Sequence, residues 1–195
     1  MRIDLKASTR LALAARAGDG AAFEALVRAC DRVVIELATR LLGNRHDAED
    51  VRQLAWLKAW RALPQFDARA SFPTWLYRIV VNAGRDRVRA RERAAPSPEL
   101  PRSLATHQDG PARTLEAADA RERVAAAVDA LPPEEREVIV LRHFHELDVS
   151  AIADVVGRPR TTVQSCLARA LTRLRFRLRP LAEADGLRAP MARIP

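Results

Sequence analysis

Cysteine is nearly absent from this chain of 195 residues: Cys30 and Cys166 are the only two. They are too few and too far apart to build a disulfide framework or a zinc site. Lysine is almost missing as well, with only Lys6 and Lys58, so the excess of 33 basic over 25 acidic side chains, a net +8, is carried by arginine. Aromatic residues make up 5% and there are seven glycines. No Gly-rich phosphate loop, nucleophile elbow or spaced Cys/His set occurs, which leaves an enzyme without support. Uncharged apolar runs fall far short of the roughly 20 residues that cross a bilayer, so membrane insertion is not expected. The N-terminus, MRIDLKASTR, lacks the apolar stretch of a signal peptide. These absences predict a cytoplasmic, unprocessed protein without metal or cofactor.

Apolar residues account for 48%, enough for a buried core, and the sequence pI of about 10.9 points to a polyanionic partner. GC-rich coding is the alternative reading of abundant Ala and Arg, so the position of the charge decides. Composition separates two apolar-periodic blocks, residues 1–93 and 119–180, by a stretch at 94–118 that contains Pro96, Pro98, Pro101, Gly110 and Pro111. That stretch has no sustained period and reads as a flexible linker. A tail follows at 181–195. Neither block shows period-two alternation or an internal repeat, so the predicted fold is all-α, two helical domains joined by a linker.

In the first block a short helix ends near Ala17, and Gly18-Asp19-Gly20 supplies a break and an N-cap. Phe23, Leu26, Val27, Cys30, Val34, Leu37 and Leu41 then recur at spacings of three and four, one face of a long helix that stops at Gly43-Asn44. Cys30 on that stripe reads as a packed thiol. A second helix starts at His46-Asp47, with Asp47 as N-cap, and runs through Val51, Leu54, Trp56, Leu57 and Trp60 to Leu63. Residues 64–71 form a loop. A third long helix follows Phe72-Pro73, with Leu76, Ile79, Val80 and Ala83 on its packing side. Arg78, Asn82, Arg85 and Arg89 lie on the other side as a basic stripe with one amide.

Within the second block, Leu131-Pro132-Pro133-Glu134-Glu135 is a helix start, with proline and carboxylates in the first turn. Asp148 caps a short helix over 149–156, closed by Gly157. A longer helix begins near Thr161 or Thr162 and buries Val163, Leu167, Ala170 and Leu174. A short helix, a tight turn and a longer helix with a polar start are the pattern of a helix-turn-helix, whose second helix reads base edges in the major groove. Gln164 carries the amide suited to adenine and Arg169 the fork suited to guanine. Between Val155 and Ala182 there are seven arginines and no acid. His143 and His145 do not form a metal pair, because residues two apart on a helix point about 200° apart.

With these residues in order, the chain resembles an RNA polymerase sigma factor of the extracytoplasmic-function (ECF) class of the sigma-70 family. The resemblance rests on RAGDGAAFEALV, RLLGNRHDAEDVRQLAWLKAWRALPQF, SFPTWLYRIVVNAGRDRVRARER, ALPPEEREVIVLRHF and the ELDVSAIADVVGRP…TVQS…ARALTRLR segment. Together they cover nearly all of the chain except linker and tail. The resemblance implies a region 2-like domain over 1–93 and a region 4-like helix-turn-helix domain over 119–180. It implies that Asp47, Glu49, Asp50 and Gln53 bind core RNA polymerase. In the -10 element of promoter DNA, Gln65, Phe66, Asp67, Arg69 and Ser71 would capture a flipped base, and Arg78, Asn82, Arg85 and Arg89 would hold the opened strand. Arg158, Arg160, Thr161, Thr162, Gln164, Ser165, Arg169 and Arg173 would contact the -35 element.

An anti-sigma protein is a further expected partner, and no catalytic residue is implied. The chain departs from the family pattern at Leu54, where an acid is usual, and at Ala151, Thr161 and Cys166. Two alternatives are a stand-alone helix-turn-helix regulator and a sigma-like decoy that binds a regulatory protein instead of DNA. Intact basic stripes and the Asp50/Gln53 pair argue against both.

Overall fold

The structure is a computed structural model that describes residues 4–94 and 115–184, so most of the expected linker and the tail beyond Ala184 lie outside the described residues. Every regular element among the described residues is helical: α1 Leu5–Arg16, α2 Gly20–Leu42, α3 Arg45–Ala62, a 3-10 turn Leu63–Gln65, α4 Phe72–Ala94, α5 Leu115–Asp129, α6 Pro133–His143, α7 Val149–Val156 and α8 Arg160–Ala184. None is long and apolar enough to cross a membrane.

Local chemistry sets the helix ends. The Asp4 carboxylate accepts the Lys6 and Ala7 N–H groups at 2.9 Å to open α1. Asp19 caps α2, and Gly43 closes it at φ +70, a left-handed conformation that glycine adopts without steric cost. The start of α3 differs from the sequence reading: its N-cap is Asn44, not Asp47. Asn44 Oδ1 accepts the Asp47 N–H at 2.8 Å and Asn44 Nδ2 donates to Asp47 Oδ2 at 2.8 Å, a reciprocal box that puts Asp47 inside the first turn.

Leu26, Cys30, Val34 and Leu37 of α2 meet Val51, Ala55 and Ala59 of α3 and Leu76, Val80 and Val81 of α4 in the core of the first block. Burial pushes the Cys30 thiol up to about 11, as expected for a packed cysteine. The second block buries Val138–Leu141 of α6, Ile152, Val155 and Val156 of α7, and Val163, Cys166 and Ala170 of α8. Helix α5, unresolved in the sequence reading, closes this block with Ala127 and Val128. Its LEAADARERVAAAVD sequence has an alanine face with few large apolar side chains to mark a period. Helix α8 runs past Pro180 to Ala184. The blocks pack on each other, α4 against α7 and α2 against α6.

Candidate nucleic-acid interface

Helices α7 and α8 form the expected helix-turn-helix. Asp148 caps α7 by accepting the Ala151 N–H at 2.8 Å, and Gly157 at φ +68 lets the chain turn towards α8. Arg160, Thr161, Gln164, Ser165, Arg169 and Arg173 are exposed along one side of α8, while Thr162 is half-buried. Several of these cations are anchored from below. Glu135, only 4% exposed, pairs with Arg169 Nε at 3.4 Å and Arg173 Nε at 3.0 Å. Arg158 pairs with Glu134 at 2.6 Å, which holds the Glu134 carboxyl below the usual range, and Arg160 hydrogen-bonds the Ser150 hydroxyl. Cys166 points inward at 1% exposure and accepts from Arg169 Nη2 at 3.2 Å.

On α4, Arg78, Asn82 and Arg89 are exposed as the stripe predicts. Arg85 is not. Its Nε and Nη2 donate to the two carboxylate oxygens of Glu137 at 2.8 and 2.6 Å, and its Nη1 donates to the Val156 carbonyl at 3.2 Å. Second-block atoms therefore engage Arg85, while the other three residues of the stripe stay exposed.

In the loop before α4, where an exposed stacking ring was expected, Phe66 is 1% exposed and packs edge-on with Phe72 at 5.8 Å and against Trp75 at 5.3 Å, as part of the core. The 3-10 turn Leu63–Gln65 carries the chain inward, where Arg16 fixes the Phe66 carbonyl at 2.7 Å. Gln65, Asp67 and Arg69 remain exposed. Asp67 folds back onto Arg69, accepting its N–H at 3.1 Å and pairing with its Nε at 3.0 Å, around Ala68 at φ +57. The Ser71 hydroxyl sits 2.9 Å from that of Thr74, at the start of α4. Tyr77 is buried, its ring 5.0 Å from that of His145.

The proposed polymerase face of α3 divides into two. Asp47 is buried and bonded to Arg87 at 2.7 Å; burial opposes its charge, but hydrogen bonds from Asn44 and Arg87 hold it below the usual carboxylate range. Glu49 is turned towards Arg52 at 2.8 Å. Asp50 and Gln53 face solvent, Asp50 with one arm on Arg87 at 3.2 Å. Beside them stands an apolar ridge, its residues on the helix that the sequence predicts but turned to solvent: Leu54, Leu57 and Trp60 are 39%, 45% and 50% exposed. Their spacing of three was the available signal. No cluster of three metal-ligating side chains forms among the described residues.

Two family models match this chain, Sigma-70 region 2 over residues 26–94 and Sigma-70, region 4 over residues 121–174. The chain is 32% identical over 173 residues to the RNA polymerase sigma-H factor of Pseudomonas aeruginosa, covering 84% of this chain and 90% of that one. The chain belongs to the ECF class of sigma-70 family sigma factors. It is also 31% identical over 173 residues to the ECF sigma factor SigW of Bacillus subtilis, across 84% and 92% of the two chains. Among solved structures it is similar to CnrH in complex with the cytosolic domain of CnrY, with a TM-score of 0.65, 28% identity and coverage of 92% of this chain and 99% of that one. A sigma factor directs RNA polymerase to promoters, and this chain carries both the region 2 and the region 4 halves of one. A stand-alone helix-turn-helix regulator would account only for the second half.

Proposed function

We propose that this ECF sigma factor divides its task among three surfaces. The Asp50/Gln53 face of α3, with the Leu54–Leu57–Trp60 ridge beside it, docks on core polymerase; carboxylate and amide suit charge-assisted bonds and the ridge adds apolar area. Asp47 and Glu49 serve that face indirectly, by fixing the helix start and Arg52. The exposed α4 residues Arg78, Asn82 and Arg89, with Gln65, Asp67 and Arg69, hold the opened -10 element. Opening the duplex needs no catalytic residue, only tighter binding of the single-stranded form. The outer side of α8, from Arg160 to Arg173, reads the -35 element, with Arg158 supporting the turn. The chain acts in the cytoplasm, without enzymatic activity of its own, and a protein partner, an anti-sigma protein in this reading, restrains it; the similar chain CnrH is solved in complex with another protein, the cytosolic domain of CnrY.

One observation carries this reading: a stretch from Val155 to Ala182 with seven arginines and no acid stands on a helix-turn-helix in the same chain as a region 2 domain. The test is transcription in vitro with sigma-free core polymerase and a library of promoter sequences. Start sites that depend on this chain and share two conserved blocks are expected. Output without start-site preference would refute the reading.

A further inference from the structure

Glu135 stands in the first turn of α6, where the free N–H groups of a helix start favour a carboxylate. Its side chain is nearly withdrawn from water, 6% exposed, yet the two cations it meets are each 55% exposed and belong to the outer side of α8. Glu135 Oε1 accepts from Arg169 Nε at 3.4 Å. Its Oε2 lies 3.0 Å from Arg173 Nε but accepts no aligned hydrogen bond. A buried carboxylate so incompletely bonded is a poor stabiliser, and an apolar side chain of similar size would serve the fold as well or better. Glu134 does not share this duty; it holds Arg158, in the turn before α8, at 2.6 Å.

The sequence of α8 explains why the acid comes from another helix. From Val155 to Ala182 there is no acidic residue to pair with an arginine three or four positions away. Arg169 and Arg173 are one turn apart, about 6 Å along the axis, so a single carboxylate beneath them reaches both. Each meets it through Nε, the inner nitrogen of the guanidinium. Arg169 also donates from Nη2 to Cys166 Sγ at 3.2 Å, which steadies it from a second side. A guanidinium has five N–H donors in a rigid fork. With Nε engaged below, the terminal Nη edge is left for DNA, and that edge takes guanine O6 and N7, or a phosphate, two bonds at a time.

One carboxylate under two arginines has two opposing effects. It cancels one of their two charges, which weakens attraction to any phosphate backbone. It also restrains two long side chains whose rotamer freedom would otherwise be lost on binding. The first effect lowers affinity for every sequence. The second favours the sequence whose base edges match the fixed forks.

We propose that Glu135 is a positioning residue for -35 recognition: it fixes the forks of Arg169 and Arg173 and, by cancelling one charge, exchanges general affinity for DNA for discrimination between sequences. It touches no base itself. This role deepens, and rests on, the reading of α8 as the -35 surface.

Glu135→Gln keeps the side-chain shape and removes the charge. The full-length variant is expected to bind random-sequence duplex about threefold tighter, with a salt slope steeper by up to about one, as one more phosphate is neutralised. Assembled with core polymerase on a promoter library randomised in the -35 block, it should discriminate about tenfold less between preferred and random blocks. Opposite signs are the signature, because a merely damaged domain loses both. Glu135→Met, which suits a buried position, should show the same opposed pair and covers the case in which Glu135→Gln does not fold. In a chain that already carries Arg169→Ala and Arg173→Ala, Glu135→Gln should change discrimination by less than about twofold, since nothing remains to be positioned.

Joint loss of both affinities in a folded variant would overturn the proposal. So would unchanged discrimination, or an effect that persists without the two arginines. Scrambling the -35 block under polymerase carrying the wild-type chain tests the α8 reading separately: undiminished transcription there would sink that reading, and the role of Glu135 with it.

Discussion

The indole Nε1–H of Trp56 donates to Asp31 Oδ1 at 2.8 Å, tying the centre of α3 to α2. Arg52, one turn earlier, reaches both oxygens of the same carboxylate at 3.0 and 3.1 Å. Asp31 thus satisfies an indole and a guanidinium together and sets the tilt of the helix that presents Asp50, Gln53 and the apolar ridge.

Asp31→Ala should destabilise the first block by about 1–3 kcal/mol, the cost of stranding partly buried donors. The midpoint of urea unfolding measures this. Asp31→Asn, which keeps an acceptor, should recover part of the loss.

Asp50→Ala and Gln53→Ala should each weaken binding to core polymerase several-fold while changing stability by no more than about 0.5 kcal/mol, because both side chains face solvent. Competition against a second sigma factor for core polymerase reads the first effect. Duplex binding by the second domain should be untouched. Equal occupancy of polymerase by variant and wild type would remove these residues from the docking face.

Phe66→Ala should cost about 3–5 kcal/mol of stability, as a large-to-small change in a closed aromatic cluster does. A purely DNA-facing ring would instead lose promoter opening with the fold intact. Thermal unfolding alongside promoter opening separates the two.

Arg169→Ala should relax base preference at one or two positions of the -35 element by about 1–3 kcal/mol. Arg177→Ala should leave preference alone and lower the salt slope of binding by about one. Binding to a sequence library at two salt concentrations reports both. A uniform loss for Arg169→Ala would make it a phosphate contact.

The His145 imidazole is pushed down to about 4, first by burial and then by Arg40 of α2, with Glu36 of α2 pulling the other way and the Tyr77 ring of α4 packed against it. In the unfolded chain this group takes a proton near 6.5, so between those values the unfolded state binds more protons and folding stability falls as pH falls. Below about 4 the penalty is complete and constant. His145→Phe should flatten that part of the pH profile in a urea series from pH 7 to pH 4. An identical slope in the variant would exclude His145 as its source.

Much of this architecture was legible as pattern. The α2 stripe from Leu26 to Leu37, the Asp19 and Asp148 caps, the glycine stops at Gly43 and Gly157 and the helix-turn-helix all follow from short-range rules that act within one or two turns. What escaped the sequence depends on contacts distant in the chain. Asp47 sits in the first turn of α3 and is bonded to Arg87, forty residues on, a partner that no local pattern announces. Phe66 reads as a loop aromatic until Phe72 and Trp75 enclose it. Arg85 shares a period with Arg78, Asn82 and Arg89, and nothing local distinguishes it; only the approach of Glu137 does. Helix α5 went unread for lack of large apolar residues to mark its inner side.

The ridge of Leu54, Leu57 and Trp60 has a bearing on what docking adds. Three sizeable greasy side chains in a row on one helix are wetted whenever no partner covers them. Trp60 is already half covered, its ring 4.7 Å from that of Phe23, so what a docking partner gains there is the rest of the indole and the two leucines beside it.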